Sequence, residues 1–251
     1  MKAPPAVNTA KMPSNRNPMP VITLSSPKGG AGKTTAATIL ATELAERGAT
    51  VTIIDADPHK NVVDWAKLPG VPDNLTVIGD VTEETILDVI EEAAAATSFV
   101  IVDLEGTASL MNSYAISMSD FVIIPLQASQ LDAKQAARQM KLVKSQEKIK
   151  KQPIPFAVLF TRTNPAIMPK TQRHIEDRFT ELGVPVFGTR LFDREAFRAI
   201  FSFGGSIAGL KGKGVSNLVA AQGNALDFTA ELIERLRNGN QPVQKTEKEV
   251  A

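Results

Sequence analysis

The chain has 251 residues, 43% of them hydrophobic, with a formal net charge of +1 and no cysteine. That apolar content is enough for one substantial α/β core, and no apolar run approaches membrane-spanning length, so we expect a soluble protein with a single folded domain. The missing cysteines exclude disulfides and cysteine-ligated iron–sulfur clusters, and a net charge near zero excludes a global basic field for binding nucleic acid.

Short apolar runs and helical patterns alternate along most of the chain. The segment 1–20 comes first; it is rich in proline and lacks the apolar stretch of a signal peptide, which predicts a disordered arm on a cytoplasmic protein. Strands are predicted over 21–24, 50–54, 75–78, 99–102, 121–124, 156–160 and 186–191. Helices are predicted over 34–47, 83–96, 132–150, 170–182 and 216–237. Gly48 is placed to end the first helix and Thr82 to begin the second.

The alternation of strands and helices indicates an α/β fold over 21–237. A strand, a helix and a further strand in sequence favour a mostly parallel sheet, and such a sheet is covered by helices on both faces, which gives three layers. The polar segment 238–251 is predicted to be a disordered tail. We therefore expect one folded domain between a disordered arm and a disordered tail.

A glycine-rich loop, Ser25–Thr35, lies between the first predicted strand and the first predicted helix. The backbone N–H groups of Gly29–Thr34 can converge on a phosphate, because glycine tolerates the dihedral angles that this requires. In such a loop Lys33 would reach the β- and γ-phosphates, and the Thr34 hydroxyl would complete a Mg²⁺ shell. A chance glycine-rich turn is the alternative, but the strand, the loop and the helix together favour a phosphate-binding loop.

The segment from Lys28 to Thr35 resembles the deviant Walker A motif of the ParA/MinD family of P-loop ATPases. The resemblance implies a P-loop NTPase fold, ATP and Mg²⁺ as cofactors, and an ATP-dependent homodimer that sandwiches two nucleotides. It also implies that Lys28 is catalytic, because it would contact the phosphates bound by the partner subunit as an arginine finger does. The nucleotide-binding residues are then Lys28, Gly29, Gly30, Ala31, Gly32, Lys33, Thr34 and Thr35.

Two carboxylates, Asp55 and Asp57, follow the second predicted strand. Both leave its carboxyl end, the edge at which open α/β sheets bind ligands, and they share one side of an extended chain. An acidic turn closed by Pro58 is one interpretation. The pattern also resembles switch I of the family, which implies that Asp57 orients the attacking water and that Asp55 acts near the Mg²⁺. Relatives often have glutamine where this chain has His59, whose side chain we expect to face solvent.

The predicted strand over 99–102 delivers Asp103 to the same edge of the sheet. This is the Walker B pattern, in which the aspartate holds Mg²⁺ through a water molecule. A buried strand followed by an aspartate turn is common, so the prediction depends on the glycine-rich loop found earlier in the chain. Gly106 follows in the place of switch II, where it can supply backbone freedom next to the γ-phosphate. The predicted metal-binding residues are thus Thr34, Asp55 and Asp103.

Basic residues recur on one face of the predicted helix over 132–150. They lie three, four or seven residues apart, the spacing of neighbours on one side of a helix. Such a row is most often a solvated face, whereas ParA relatives bind DNA without sequence preference as ATP-bound dimers, and a row of cations can contact DNA phosphates. The candidate DNA-binding residues on this helix are Lys134, Arg138, Lys141 and Lys148. Arg194 and Arg198, further along the chain, are also candidates.

Several functions within the family fit the sequence. The favoured one is a nucleoid-associated switch for plasmid or chromosome partitioning or for cargo positioning, with a ParB-like or cargo-adaptor protein that stimulates hydrolysis. MinD relatives bind membranes through a basic amphipathic C-terminal helix; the predicted last helix suits packing on the core instead, so no membrane binding is expected. An accessory ATPase of conjugative or T-DNA transfer stays open. A metabolic enzyme of the amidoligase or dethiobiotin synthetase type would need a carboxylate-substrate pocket, for which we find no motif.

Overall fold

A computed structural model describes residues 19–106 and 109–238, apart from the side chains of Gln130 and Asp132. The strands are β1 Val21–Leu24, β2 Val51–Ala56, β3 Leu75–Ile78, β4 Phe99–Leu104, β5 Phe121–Leu126, β6 Phe156–Thr163 and β7 Leu191–Phe192. They form one sheet in the order β3-β2-β4-β1-β5-β6-β7, and every pairing is parallel. The predicted parallel α/β sheet is confirmed.

Helices cover both faces of this sheet. They are α1 Lys33–Glu46, α2 Asn61–Ala66, α3 Ile86–Ala96, α4 Leu110–Met118, α5 Gln130–Lys150, α6 Lys170–Glu181, α7 Glu195–Phe203 and α8 Leu218–Arg237, with a 3₁₀ helix at Ala208–Leu210. One apolar core joins α1, α2, α7 and α8 to the sheet, and a second joins α3, α4, α5 and α6 to its other face. The three-layer architecture follows, because strands buried on both faces need apolar helices on each side.

The order of the strands reverses at β1, which has β4 on one side and β5 on the other. Open α/β sheets bind their ligands at such a switch point, outside the carboxyl ends of the strands. In the strand register, Asp103 lies level with Leu24 of β1 and with Asp55 of β2. The fold thus brings the loops after β1, β2 and β4 to one place.

Three short helices were not predicted, and several predicted boundaries were wrong; β6, for example, ends at Thr163 and not at residue 160. The helices α2, α4 and α7 have six to nine residues, too few for a clear 3.6-residue pattern. The strand predicted over 186–191 is reduced to β7, because the N–H groups of Gly188 and Thr189 donate to the Glu231 carboxylate and not to a strand. Helix α3 begins at Ile86, since the turn after Thr82 comes before it.

The end of α1 and the packing of α8 were also predicted from the sequence. Gly48 has φ 85°, and its N–H donates to the carbonyl of Ala45, which ends α1 as predicted. In α8, Phe228 is buried, whereas Leu226 is 40% exposed because two residues further along a helix point to nearly opposite sides. The described residues contain no helix that is long and apolar enough to cross a membrane. Most of the predicted arm and tail, 1–18 and 239–251, lies outside the described residues.

Candidate nucleotide-binding site

The loop between β1 and α1 leaves the start of α1 without a side-chain cap. Gly32 precedes the helix with φ 92°, Gly30 has φ 75°, and among the described residues no side chain caps the N–H groups of the first turn. The N–H groups of that turn therefore remain free to bind an anion, and the helix dipole favours one. A Cβ at Gly32 would lie 3.3 Å from the side chain of Thr161, so close packing as well as the positive φ requires glycine there.

Three side chains, one just after β5, one on α5 and one on β6, hold the loop in place. The Gln127 amide donates to the carbonyl of Gly30 at 2.7 Å, and the Thr161 hydroxyl donates to the carbonyl of Ala31 at 2.7 Å. The buried Gln139 amide donates to the Ser25 hydroxyl at 2.8 Å. The sequence pattern did not predict these three supporting side chains. Gln127 and Thr161 each follow a predicted strand and Gln139 lies on a predicted helix, and neither position indicates a contact with the loop.

Asp103 is a buried carboxylate without an ordinary partner. It is 0% exposed, and neither oxygen has a hydrogen-bond partner of good geometry among the described residues. Burial raises the pKa of Asp103 to about 7; the nearby Thr34 hydroxyl lowers it, the Asp55 charge raises it and the Lys33 ammonium lowers it. An uncompensated buried carboxylate is costly, so this site favours either a proton or a cation.

The donors around Asp103 fit Mg²⁺. Mg²⁺ keeps several waters and takes one or two carboxylates together with phosphate oxygens, so it needs no cage of protein ligands. The described part of the chain has no group of three or more acidic or histidine side chains placed to hold a metal. Thr34 would hold the ion directly and Asp103 through water. When bound, Mg²⁺ neutralises charge on the phosphate oxygens.

Asp55 lies beside Asp103, but its carboxylate is engaged by the protein. Oδ2 accepts from the N–H groups of Val62 and Val63 at 2.9 and 3.0 Å, and Oδ1 accepts from the N–H of Asp57 at 3.2 Å. Burial raises the pKa of Asp55, and these amide bonds oppose the rise. Asp55 thus ties the start of α2 to the end of β2, a role that the sequence did not indicate. Its predicted action near the metal stays a prediction.

Asp57 begins the turn that leads into α2. Its Oδ1 accepts from the backbone N–H of His59 at 2.9 Å and lies 2.8 Å from Nδ1 of the same residue. The Asp57 side chain is 13% exposed, whereas the His59 ring is 81% exposed. The ring therefore faces solvent as expected, and it also contacts the carboxylate that is predicted to orient water. This contact was not predicted.

Switch II packs against the phosphate-binding loop. A Cβ at Gly106 would lie 3.1 Å from the nitrogen of Gly29 and 3.3 Å from the carbonyl carbon of Lys28. Both distances are shorter than an ordinary van der Waals contact, so a larger residue at position 106 would push on the backbone of Lys28 and Gly29. Lys28 itself is half-buried. The next two residues, 107 and 108, lie outside the described residues.

The two arginines that were predicted to bind DNA lie beside the phosphate-binding loop. Both line a pocket next to Gly32 and Thr35. The Arg194 guanidinium lies 5.2 Å from the centre of the Phe192 ring, and Arg198 forms an ion pair with Asp193. Aromatic and guanidinium planes can stack on a nucleobase. Both arginines thus lie beside the candidate nucleotide site and away from the α5 row, and their predicted contact with DNA stays a prediction.

The basic row on α5 is on the surface, away from this pocket. Lys134, Arg138, Lys141 and Lys148 are all exposed. None of them forms an ion pair within residues 19–106 and 109–238, whereas Lys144 is paired with Glu147. Ala136 and Val143 on the opposite side are buried, as the periodicity predicted. The row therefore has unpaired cations that are available to an anionic surface.

The chain is similar to a described family and to several known proteins. A family model described as VirC1 protein matches residues 19–217. Protein ParA of Rhizobium radiobacter is 40% identical over 218 residues, which are 87% of this chain and 98% of that protein. A McdA variant from Cyanothece in complex with ATP has a TM-score of 0.67 at 18% identity and covers 86% of this chain and 97% of its own. Cobyrinic acid a,c-diamide synthase from Mycobacterium smegmatis with bound ADP and magnesium has a TM-score of 0.63 at 14% identity, covering 91% and 99%.

Proposed function

This chain belongs to the VirC1 family of ParA/MinD-type P-loop ATPases, and we propose that it is an ATP-dependent dimerising switch that binds DNA nonspecifically. A ParB-like or cargo-adaptor partner would stimulate ATP hydrolysis and so release the protein from DNA. The role would be plasmid or chromosome partitioning, or cargo positioning, in the cytoplasm at the nucleoid. The name of the ParA relative supports the partitioning role.

One observation carries the nucleotide part of this proposal. The strand order reverses at β1, and two features meet at the carboxyl end of that strand: the uncapped start of α1 and the buried, unpartnered carboxylate of Asp103. An anion site and a cation site therefore adjoin there. ATP with Mg²⁺ satisfies both. Lys33 and the loop amides would bind the phosphates, and Asp57 would orient the water that attacks the γ-phosphate.

The dimer would depend on ATP because each subunit completes the site of the other. Lys28 would contact the phosphates that the partner subunit binds, so its positive charge is favourable at the interface only when a phosphate is there. Hydrolysis and loss of the γ-phosphate would then weaken the pairing. Slow hydrolysis would make the dimer persist until a partner protein accelerates the reaction.

The unpaired cations on α5 support DNA as the target. Lys134, Arg138, Lys141 and Lys148 are exposed along one face and could contact successive phosphates. A single face of this kind binds weakly in a monomer, whereas a dimer presents two such faces. DNA affinity would therefore follow the nucleotide-dependent pairing of subunits.

Co-sedimentation with DNA and with liposomes, each in the presence of ATP or ADP, tests this function. We expect the protein to sediment with DNA in ATP, to stay in solution in ADP, and to stay in solution with liposomes in both. Sedimentation with anionic liposomes in ATP would instead support a MinD-like membrane switch. That alternative has less support, because Phe228 and Leu232 of α8 are buried in the core.

An accessory ATPase of conjugative or T-DNA transfer is a second candidate, because the matching family model is described as VirC1 protein and not as a partition protein. The two roles predict different phenotypes in cells that lack the gene. Loss of a replicon without selection indicates partitioning, whereas stable replicons with a lower transfer frequency indicate a role in DNA transfer.

A further inference from the structure

We propose that His59 is a positioning residue that fixes the Asp57 carboxylate, so that its second oxygen is presented to the attacking water. This inference rests on the proposed function, in which Asp57 orients that water. It assigns to this chain's own histidine a part in hydrolysis beyond the roles of the phosphate-binding loop and the switch aspartates. His59 acts only through Asp57 and need not touch the nucleotide.

The contact involves one carboxylate oxygen and two donors. Oδ1 of Asp57 accepts from the His59 backbone N–H at 2.9 Å and lies 2.8 Å from the His59 ring Nδ1. An ionised carboxylate can only accept, so Nδ1 must carry a proton. Within the described part of the chain, Oδ2 of Asp57 has no hydrogen-bond partner. One oxygen is thus occupied twice and the other is free to accept from water.

The backbone around this contact is held without the ring. The N–H of Lys60 donates to the carbonyl of Asp57 at 3.0 Å, and the Lys60 ammonium donates to the carbonyl of Asp55 at 2.9 Å. The N–H of Asp57 donates to Oδ1 of Asp55, and Pro58 fixes its own φ within the turn. Removal of the imidazole should therefore free the carboxylate to rotate and leave the turn in place.

A carboxylate that is held in one orientation can accept a hydrogen bond from the attacking water without first having to rotate. Loss of one charge-assisted hydrogen bond lets the group sample unproductive rotamers, which slows the chemical step but does not touch the atoms that bind the nucleotide. The ring is 81% exposed, so solvent competes for the bond and the effect should be moderate.

Steady-state ATP hydrolysis by His59→Ala and His59→Asn tests the inference. The His59→Ala variant should lower kcat about fivefold with KM for ATP unchanged within about twofold, because the contact acts on the water and not on binding. Asn places an amide nitrogen the same number of bonds from Cα as Nδ1, so His59→Asn should restore kcat to within about twofold of wild type. An unchanged or raised kcat in His59→Ala, or no recovery in His59→Asn, would overturn the proposal.

A double-mutant cycle and a spectroscopic measurement separate this inference from the proposed function. In an Asp57→Ala background, His59→Ala should have no further effect, since the two residues act as one unit. The chain has two histidines, so a ¹⁵N-detected imidazole spectrum can be assigned with a His174→Gln variant. It should show His59 protonated at Nδ1, and Asp57→Ala should remove that preference. A wild-type ring protonated at Nε2 but not at Nδ1 would contradict the inference alone, whereas a wild type that does not hydrolyse ATP would contradict the proposed function as well.

Discussion

Gly106 packs against the backbone of Lys28, so that a Cβ at position 106 would lie 3.3 Å from the carbonyl carbon of Lys28. The loop that follows Asp103 therefore touches Lys28 in the phosphate-binding loop. Because both neighbours are backbone atoms, they cannot move aside as a flexible side chain would. A larger side chain at position 106 would therefore push on the backbone of Lys28 and Gly29.

Gly106→Ala should weaken ATP binding about tenfold, because the added methyl displaces Lys28 and Gly29 at a cost of ~1–2 kcal/mol. A fluorescent ATP analogue titrated against the variant measures this. Gly223→Ala is the matched control: a Cβ there meets no atom within 4 Å, and alanine favours the α8 helix. Equal ATP affinities for the two variants would mean that the loop yields freely at Gly106.

The sequence predicted the parts of the site that depend on local order. A strand, a glycine-rich loop and a helix follow one another directly. Asp55 and Asp103 each follow an apolar run and lie near the carboxyl ends of β2 and β4, and Asp57 comes directly after β2. It could not predict contacts between distant segments. Thr161 and Gln139 reach the loop only because β5 lies beside β1 and β6 lies beside β5, an order that no local pattern contains.

The hydrogen-bond partners of Asp55 and Asp57 could not be predicted from the sequence either. Asp55 bonds to the first amides of α2, a helix of six residues without a readable period. The His59 ring is 81% exposed, as residue type alone suggests, but the turn after Pro58 also brings its Nδ1 to 2.8 Å from Oδ1 of Asp57, which residue type does not indicate. In each case the deciding factor is the direction of a side chain, which residue order does not fix.

The Asp103 carboxylate makes the stability of the metal-free protein depend on pH. Its pKa is raised from 3.8 to about 7 on folding, so between these values the folded state holds a proton that the unfolded state releases. The free energy of unfolding from this site is then greatest below about pH 4 and falls as the pH rises to about 7. Asp103→Asn has no such titration, and its thermal midpoint in a chelator should fall less over that range.

Asp55 and Glu43 also have raised pKa values, chiefly through burial, so part of the pH dependence should remain in Asp103→Asn. The difference between the two proteins isolates Asp103. Added Mg²⁺ should reduce that difference above pH 7, because a cation favours the ionised carboxylate. Parallel curves for wild type and variant would show that Asp103 is not the titrating group.

Charge reversal on α5 should weaken DNA binding without loss of ATP binding. Lys141→Glu combined with Lys148→Glu removes two exposed cations, so the slope of log affinity against log salt should fall by about two. Filter binding with ATP over a range of salt concentrations measures this slope. Lys170→Glu with Arg173→Glu on α6 carries the same change in net charge and serves as the control. Equal losses in both double variants would point to net charge and not to the α5 face.

Lys28→Ala should separate nucleotide binding from dimerisation. The variant keeps Lys33 and the loop amides, so it should bind ATP with an affinity close to that of the wild type. It lacks the cation that would reach the partner's phosphates, so it should elute as a monomer with a nonhydrolysable ATP analogue, whereas the wild type elutes as a dimer. Lys33→Ala is the control, since it should lose ATP binding first and dimerisation as a consequence. A Lys28→Ala protein that pairs as well as the wild type, or a wild type with the same oligomeric state in ADP and in the ATP analogue, would mean that the terminal phosphate does not join the subunits.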